Sequence, residues 1–131
     1  MDKVTKSDSE WRAELSELAY KVTRDHGTER AFSHDSFPKD AGQFSCVCCG
    51  ATLFDQAHKF DSGTGWPSFW APLDAEMVGE KEDRGFFMRR TEVHCNRCEA
   101  HLGHVFPDGP APTGLRYCIN GVALTFAPSD D

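Results

Sequence analysis

Six cysteines are unevenly divided along this chain. Four form two C-x-x-C pairs, Cys46 with Cys49 and Cys95 with Cys98. A C-x-x-C turn presents two thiolates on one tight knuckle. Two such knuckles close a four-sulfur tetrahedron of the kind a structural zinc occupies. Gly50, directly after Cys49, supplies the backbone freedom the turn needs. With no open coordination position the metal would be structural, contributing on the order of 10 kcal/mol to folding. Two other readings of the spacing stay open. The pairs could be redox-active dithiols. Alternatively, the ladder Cys95-x-x-Cys98-x-x-His101-x-x-His104 could lend a histidine to a mixed site.

Cys118 stands apart, in Leu115-Arg116-Tyr117-Cys118-Ile119-Asn120. A cysteine becomes nucleophilic when nearby cations or donors stabilise its thiolate. In an extended segment Arg116, Cys118 and Asn120 share one face, and Tyr117 and Ile119 point the other way, into a core. The competing reading is a buried structural cysteine. Two further segments carry chemistry-bearing side chains: His101-Leu102-Gly103-His104-Val105-Phe106-Pro107-Asp108-Gly109, and the aromatic, glycine-rich Asp61-Ser62-Gly63-Thr64-Gly65-Trp66-Pro67-Ser68-Phe69.

The elements that must position these groups read as α+β, mainly β. Residues 7–26 are helical by period, with Ser7 and Glu10 forming a capping box. Trp11, Leu15, Leu18, Ala19 and Val22 make one apolar face. Ser16 can cap a second helix, so two short helices fit as well as one. Residues 28–42 read as a wrapping loop. Beyond Gln43 the period shortens to that of strands: 44–47, 52–54, 75–78, 85–95, 101–106, 115–120 and 122–126. No helical stretch separates them, so the sheets are antiparallel. The expectation is one domain over residues 1–131, with flexible ends at 1–9 and 128–131.

A net charge of −7, with 14 basic residues against 21 acidic, argues against a nucleic-acid partner. Arg89-Arg90 is the one dense basic spot. No apolar run reaches the roughly 18–20 residues of a membrane span, and the polar N-terminus lacks a signal peptide's apolar core. These features predict a cytoplasmic protein, where paired cysteines signal metal or catalysis more often than disulfides.

Taken in order, Gly27-Thr28-Glu29, both knuckles, Phe60 to Phe69, His101 to Phe106 and Gly114 to Gly121 resemble the B-type methionine sulfoxide reductases. The resemblance runs from Trp11 to Phe126. It implies two antiparallel sheets behind short N-terminal helices, and zinc on Cys46, Cys49, Cys95 and Cys98, remote from the active site. It makes Cys118 the nucleophile that reduces methionine (R)-sulfoxide in proteins and peptides through a sulfenic acid. It sets Trp66 against the substrate methyl, with Phe106 adding apolar wall. It gives His104 and Asn120 the sulfoxide oxygen and its protons, while His101, Asp108 and Arg116 organise that network and favour the thiolate. The chain departs from the family at Thr64, where many members carry a resolving cysteine. Residues 27–45 hold none either, and Cys48 is the one thiol left over. The expectation is therefore direct recycling by thioredoxin, glutaredoxin or a small thiol, and, separately, a monomer. A zinc-ribbon binding module, a Cys–His hydrolase on Cys118 and His104, and a zinc-thiol redox sensor are the rival readings.

Overall fold

The computed structural model describes residues 2–85 and 88–129. Met1 of the expected flexible N-terminus, Phe86 and Phe87 of the expected strand 85–95, and Asp130 and Asp131 of the expected tail lie outside them. Two short helices open the chain, α1 (Asp8–Glu14) and α2 (Glu17–Arg24). Ser7 accepts from the Glu10 amide while Glu10 reaches back to the Ser7 amide, which completes the capping box. Ser16 caps α2 through the Ala19 amide. This restart resets the helical phase. Ala19, Val22 and Thr23 are buried, whereas Leu18, expected on the apolar face, is exposed.

Among the described residues nine strands follow: β1 (Gly42–Cys46), β2 (Thr52–Asp55), β3 (Lys59–Phe60), β4 (Ser68–Phe69), β5 (Val78–Gly85), β6 (Met88–Cys95), β7 (His101–Phe106), β8 (Arg116–Ile119) and β9 (Leu124–Pro128). They form two antiparallel sheets, one ordered β2-β1-β9 and the other β3-β4-β8-β7-β6-β5. The fold class matches the sequence reading, but several elements differ from it. Residues 75–77 form a 3-10 turn capped by Asp74, not a strand. Another 3-10 turn occupies 121–123, so the last strand begins only at Leu124. The charged strand β5 has no apolar alternation to announce it. Its pairing with β6 is what makes it a strand. The two-residue strands β3 and β4 are too short to show a period.

The core draws side chains from both sheets. Phe44, Phe54, Phe69, Leu53, Val93, Leu102 and Ile119 are all fully buried. Phe54 stacks on Phe69 at 4.3 Å between ring centroids, and Phe44 meets Phe69 edge-on at 5.1 Å. Each such side chain contributes about 1.5–3 kcal/mol on leaving water. Tyr117 and Ile119 of β8 join this core, so Arg116 and Cys118 must face away from it. Among the described residues no helix is long and apolar enough to cross a membrane.

Candidate active site and metal centre

Both knuckles close at one end of the sheets. Cys46 ends β1 and Cys49 sits in the turn to β2; Cys95 ends β6 and Cys98 sits in the turn to β7. The two turns use the same backbone device. The Gly50 amide donates to Cys46 O and the Glu99 amide to Cys95 O, and both donors are left-handed, at φ 80° and 65°. The four sulfurs converge. Cys46 Sγ is 3.7 Å from Cys98 Sγ, Cys49 Sγ is 3.6 Å from Cys95 Sγ, and all four lie within 4.8 Å of one another. A disulfide needs about 2.05 Å. A sulfur tetrahedron around zinc at about 2.3 Å has edges near 3.8 Å. The four sulfurs therefore fit a four-thiolate metal. The histidine ladder is not recruited: His101 and His104 bond to carboxylates instead. The N-terminal segment lies on the second knuckle, with the Val4 amide on Arg97 O and the Lys3 ammonium on Asn96 O.

Cys118 sits mid-sheet, opposite Ser68 of β4 on one side and His104 of β7 on the other. A cleft of about 120 Å³ opens beside it, lined by Trp66, His104, Phe106, Asn120, Thr28 and Arg90. That is room for about four water volumes, which suits the end of a side chain and not a whole residue. Five sequence-singled residues thus meet at one place: Cys118, Trp66, His104, Phe106 and Asn120.

Each is held by identifiable contacts. Trp66 Nε1 donates to Glu29 O at 3.1 Å. The Asn120 amide group donates to Leu102 O and accepts from the Glu29 N–H, which leaves one amide hydrogen for the cleft. His104 Nε2 donates to Asp83 Oδ2 at 2.9 Å, so its Nδ1 is the nitrogen left to exchange a proton. That bond is the main reason the Asp83 carboxyl is held below its usual range, with Arg90 adding to it.

The other three stand one step back. Arg116 is gripped by Asp108 through two bonds, at 3.0 and 3.2 Å, and lies over the Phe106 ring at 4.5 Å. His101 donates from Nδ1 to Glu92 Oε1 at 3.1 Å, and its ring centroid is 5.5 Å from that of His104. Burial lowers the His101 pKa despite Glu92. At Cys118 burial also outweighs its neighbours. The thiol is pushed up, and Arg116 and a hydrogen bond from Thr64 offset this only in part. Arg116 therefore favours the thiolate without making the resting sulfur one.

Thr64, where a resolving cysteine could stand, is close enough to bond Cys118. Cys48 lines no part of the cleft and donates to Thr23 Oγ1 on α2. Sequence reasoning missed Asp83 and Glu92, and met Glu29 only within the Gly27-Thr28-Glu29 motif, with no role for it. Glu29 is the hub of the site. Its backbone holds Asn120 and Trp66, and its buried carboxylate accepts from the Gly121 and Val122 amides at 2.8 Å each. A carboxylate inside a run of polar loop residues gives no local sign of that burial. Glu92 lies directly opposite His104 in the ladder, a pairing visible only once β6 and β7 are in register.

Residues 15–128 match the SelR domain family. The chain is 55% identical to the peptide methionine sulfoxide reductase MsrB of Hahella chejuensis over 131 residues, 99% of this chain and 94% of that one. It is 56% identical to the MsrB of Thiobacillus denitrificans over 126 residues, 95% of this chain and 96% of that one. It is 53% identical to the MsrB of Pseudomonas aeruginosa over 131 residues, 99% of each chain.

Proposed function

This chain belongs to the SelR-domain family of MsrB peptide methionine sulfoxide reductases, and we propose that Cys118 is the nucleophile with which it reduces methionine (R)-sulfoxide in peptides and proteins. One observation carries the reading: Cys118, Trp66, Phe106, His104 and Asn120 line a single small cleft. Trp66 and Phe106 give the substrate methyl an apolar wall. The Cys118 sulfur attacks the sulfoxide sulfur. The oxygen, hydrogen-bonded by Asn120, takes protons from the thiol and from His104. The S–O bond breaks as this oxygen leaves as water. The water then attacks the Cys118 sulfur, and the transient S–S bond breaks with its electron pair leaving on methionine. Cys118 is left as a sulfenic acid, and the borrowed proton returns to His104. Thiol plus sulfoxide thus gives sulfenic acid plus thioether. Asp83 holds the His104 tautomer, and Asp108 aims Arg116.

The sulfenic acid condenses with an external thiol to a mixed disulfide and water. A second thiol then restores Cys118. Thioredoxin, glutaredoxin or a small thiol fills this role, because Thr64 cannot and Cys48 is turned toward Thr23. The four-cysteine centre holds structural zinc and takes no part in the reaction. The protein acts as a single-domain cytoplasmic monomer without a nucleic-acid partner. A stereospecific assay tests this with peptide R- and S-sulfoxides, run with thioredoxin and with dithiothreitol. R-only activity that vanishes in Cys118→Ser is expected. Equal activity on both epimers, or an active Cys118→Ser, refutes it.

A further inference from the structure

A second cavity, of about 430 Å³, adjoins the Cys118 cleft and shares His104, Thr28 and Arg90 with it. In its wall three ligand atoms converge. His26 Nε2 lies 3.3 Å and His101 Nδ1 3.1 Å from the same oxygen of Glu92, and all three are within 4.8 Å of one another. We propose that His26, Glu92 and His101 form a second metal site, which takes one borderline divalent transition ion such as zinc and restrains the enzyme when filled.

The donor set suits such an ion. Two imidazoles and one carboxylate leave the remaining positions for water. Ligands about 2.1 Å from an ion stand roughly 3.0–3.4 Å apart in octahedral or tetrahedral geometry, the range of the two distances to Glu92. Glu92 and His101 are 4% and 3% exposed and form a fixed base. His26 closes over them from the solvent side, with its side chain 61% exposed and its ring 5.3 Å from that of His101. Two imidazoles thus share one carboxylate oxygen, the second supplied by His26 from the left-handed position just past the end of α2, at φ 53°. The lining also favours a cation, with Glu82, Asp83 and Glu92 against Lys81 and Arg90.

The site stands on its geometry, and its effect on turnover rests on the role proposed for His104. An ion on His101 adds positive charge beside the His104 ring. That charge, 5.5 Å away by ring centroids, repels the protons gathering on the leaving oxygen as the S–O bond breaks.

The experiment uses protein whose four-cysteine centre is filled, carrying Cys118→Ser so that the nucleophile cannot bind metal. It is dialysed against micromolar Zn²⁺ and the zinc per chain is counted. One additional zinc is expected, and none after His26→Gly, which tolerates the left-handed backbone, or after Glu92→Gln. With Cys118 intact, Zn²⁺ should slow single-turnover methionine release about 10-fold or more. His26→Gly should remove that sensitivity while its rate in zinc-free buffer stays unchanged. Absence of the extra zinc, or its retention in His26→Gly, overturns the proposal. Extra zinc that depends on His26 but does not slow turnover supports the site, and overturns both the restraint and the role given to His104.

Discussion

Gly103 separates Leu102 from His104 on β7 and pairs with Ile119 across β8. Replacing it with alanine tests whether strand spacing sets the distance between acid and nucleophile. The new Cβ would meet the Cys118 carbonyl oxygen at 2.0 Å and the Ile119 Cα at 3.0 Å. Carbon and carbonyl oxygen approach to about 3.3 Å at closest, so the strands must part by roughly 1.3 Å. Both atoms in the way are backbone and cannot rotate aside. Overpacking of this kind costs about 1–3 kcal/mol. His104 and Cys118 are the adjacent register pair, so the gap opens between them, and a displacement near 1 Å costs about 100-fold in rate. Urea unfolding should show a lower midpoint with an unchanged slope. Single-turnover methionine formation should fall by that factor while metal content stays at the wild-type level. A Gly103→Ala protein within about 0.5 kcal/mol of wild type, with its turnover rate retained, would refute the reasoning.

Glu29→Ala leaves the Gly121 and Val122 amides without their acceptor; the expected loss is about 2–4 kcal/mol, read in urea, with a fall in turnover as Asn120 and Trp66 lose their anchor. Thr64→Cys should place a resolving thiol against Cys118, so that one turnover without reductant ends in an intramolecular disulfide by mass spectrometry, where wild type ends in sulfenic acid. Because burial raises the Cys118 pKa, alkylation by iodoacetamide should still be accelerating above the ordinary thiol value of about 8.5. Arg116→Leu, which removes an opposing cation, should move that profile further up. A plateau below the ordinary value would contradict the buried, neutral thiol.

How far the sequence reached depended on whether the signal was local. The capping box at Ser7 and Glu10, the restart at Ser16 and the cysteine spacings are encoded within a few residues, and each appears as read. The face of β8 that carries Arg116 and Cys118 followed from alternation alone. Strand β5 did not, because Glu80, Lys81, Glu82 and Asp83 look like a solvated loop until Asp83 pairs with Arg90 and Lys81 with Glu92 across the ladder. Asp83, Glu92 and Glu29 are functional through partners distant in sequence, so no window along the chain displays them. Thr64 was legible only against a family, as a cysteine that is not there.

The six-stranded sheet is not equally strong across its width. On the side of His104, β5 and β6 share eight paired positions, and β6–β7 and β7–β8 share four each. On the side of Trp66, β3–β4 and β4–β8 share two each. Short ladders open at lower free energy than long ones. The aromatic wall can therefore breathe while the proton-handling wall stays still, so that a bulky folded client is admitted from one flank without disturbing the alignment kept by the other. Amide exchange should record this as a gradient, fastest at Phe60 and Phe69 and slowest at Val93.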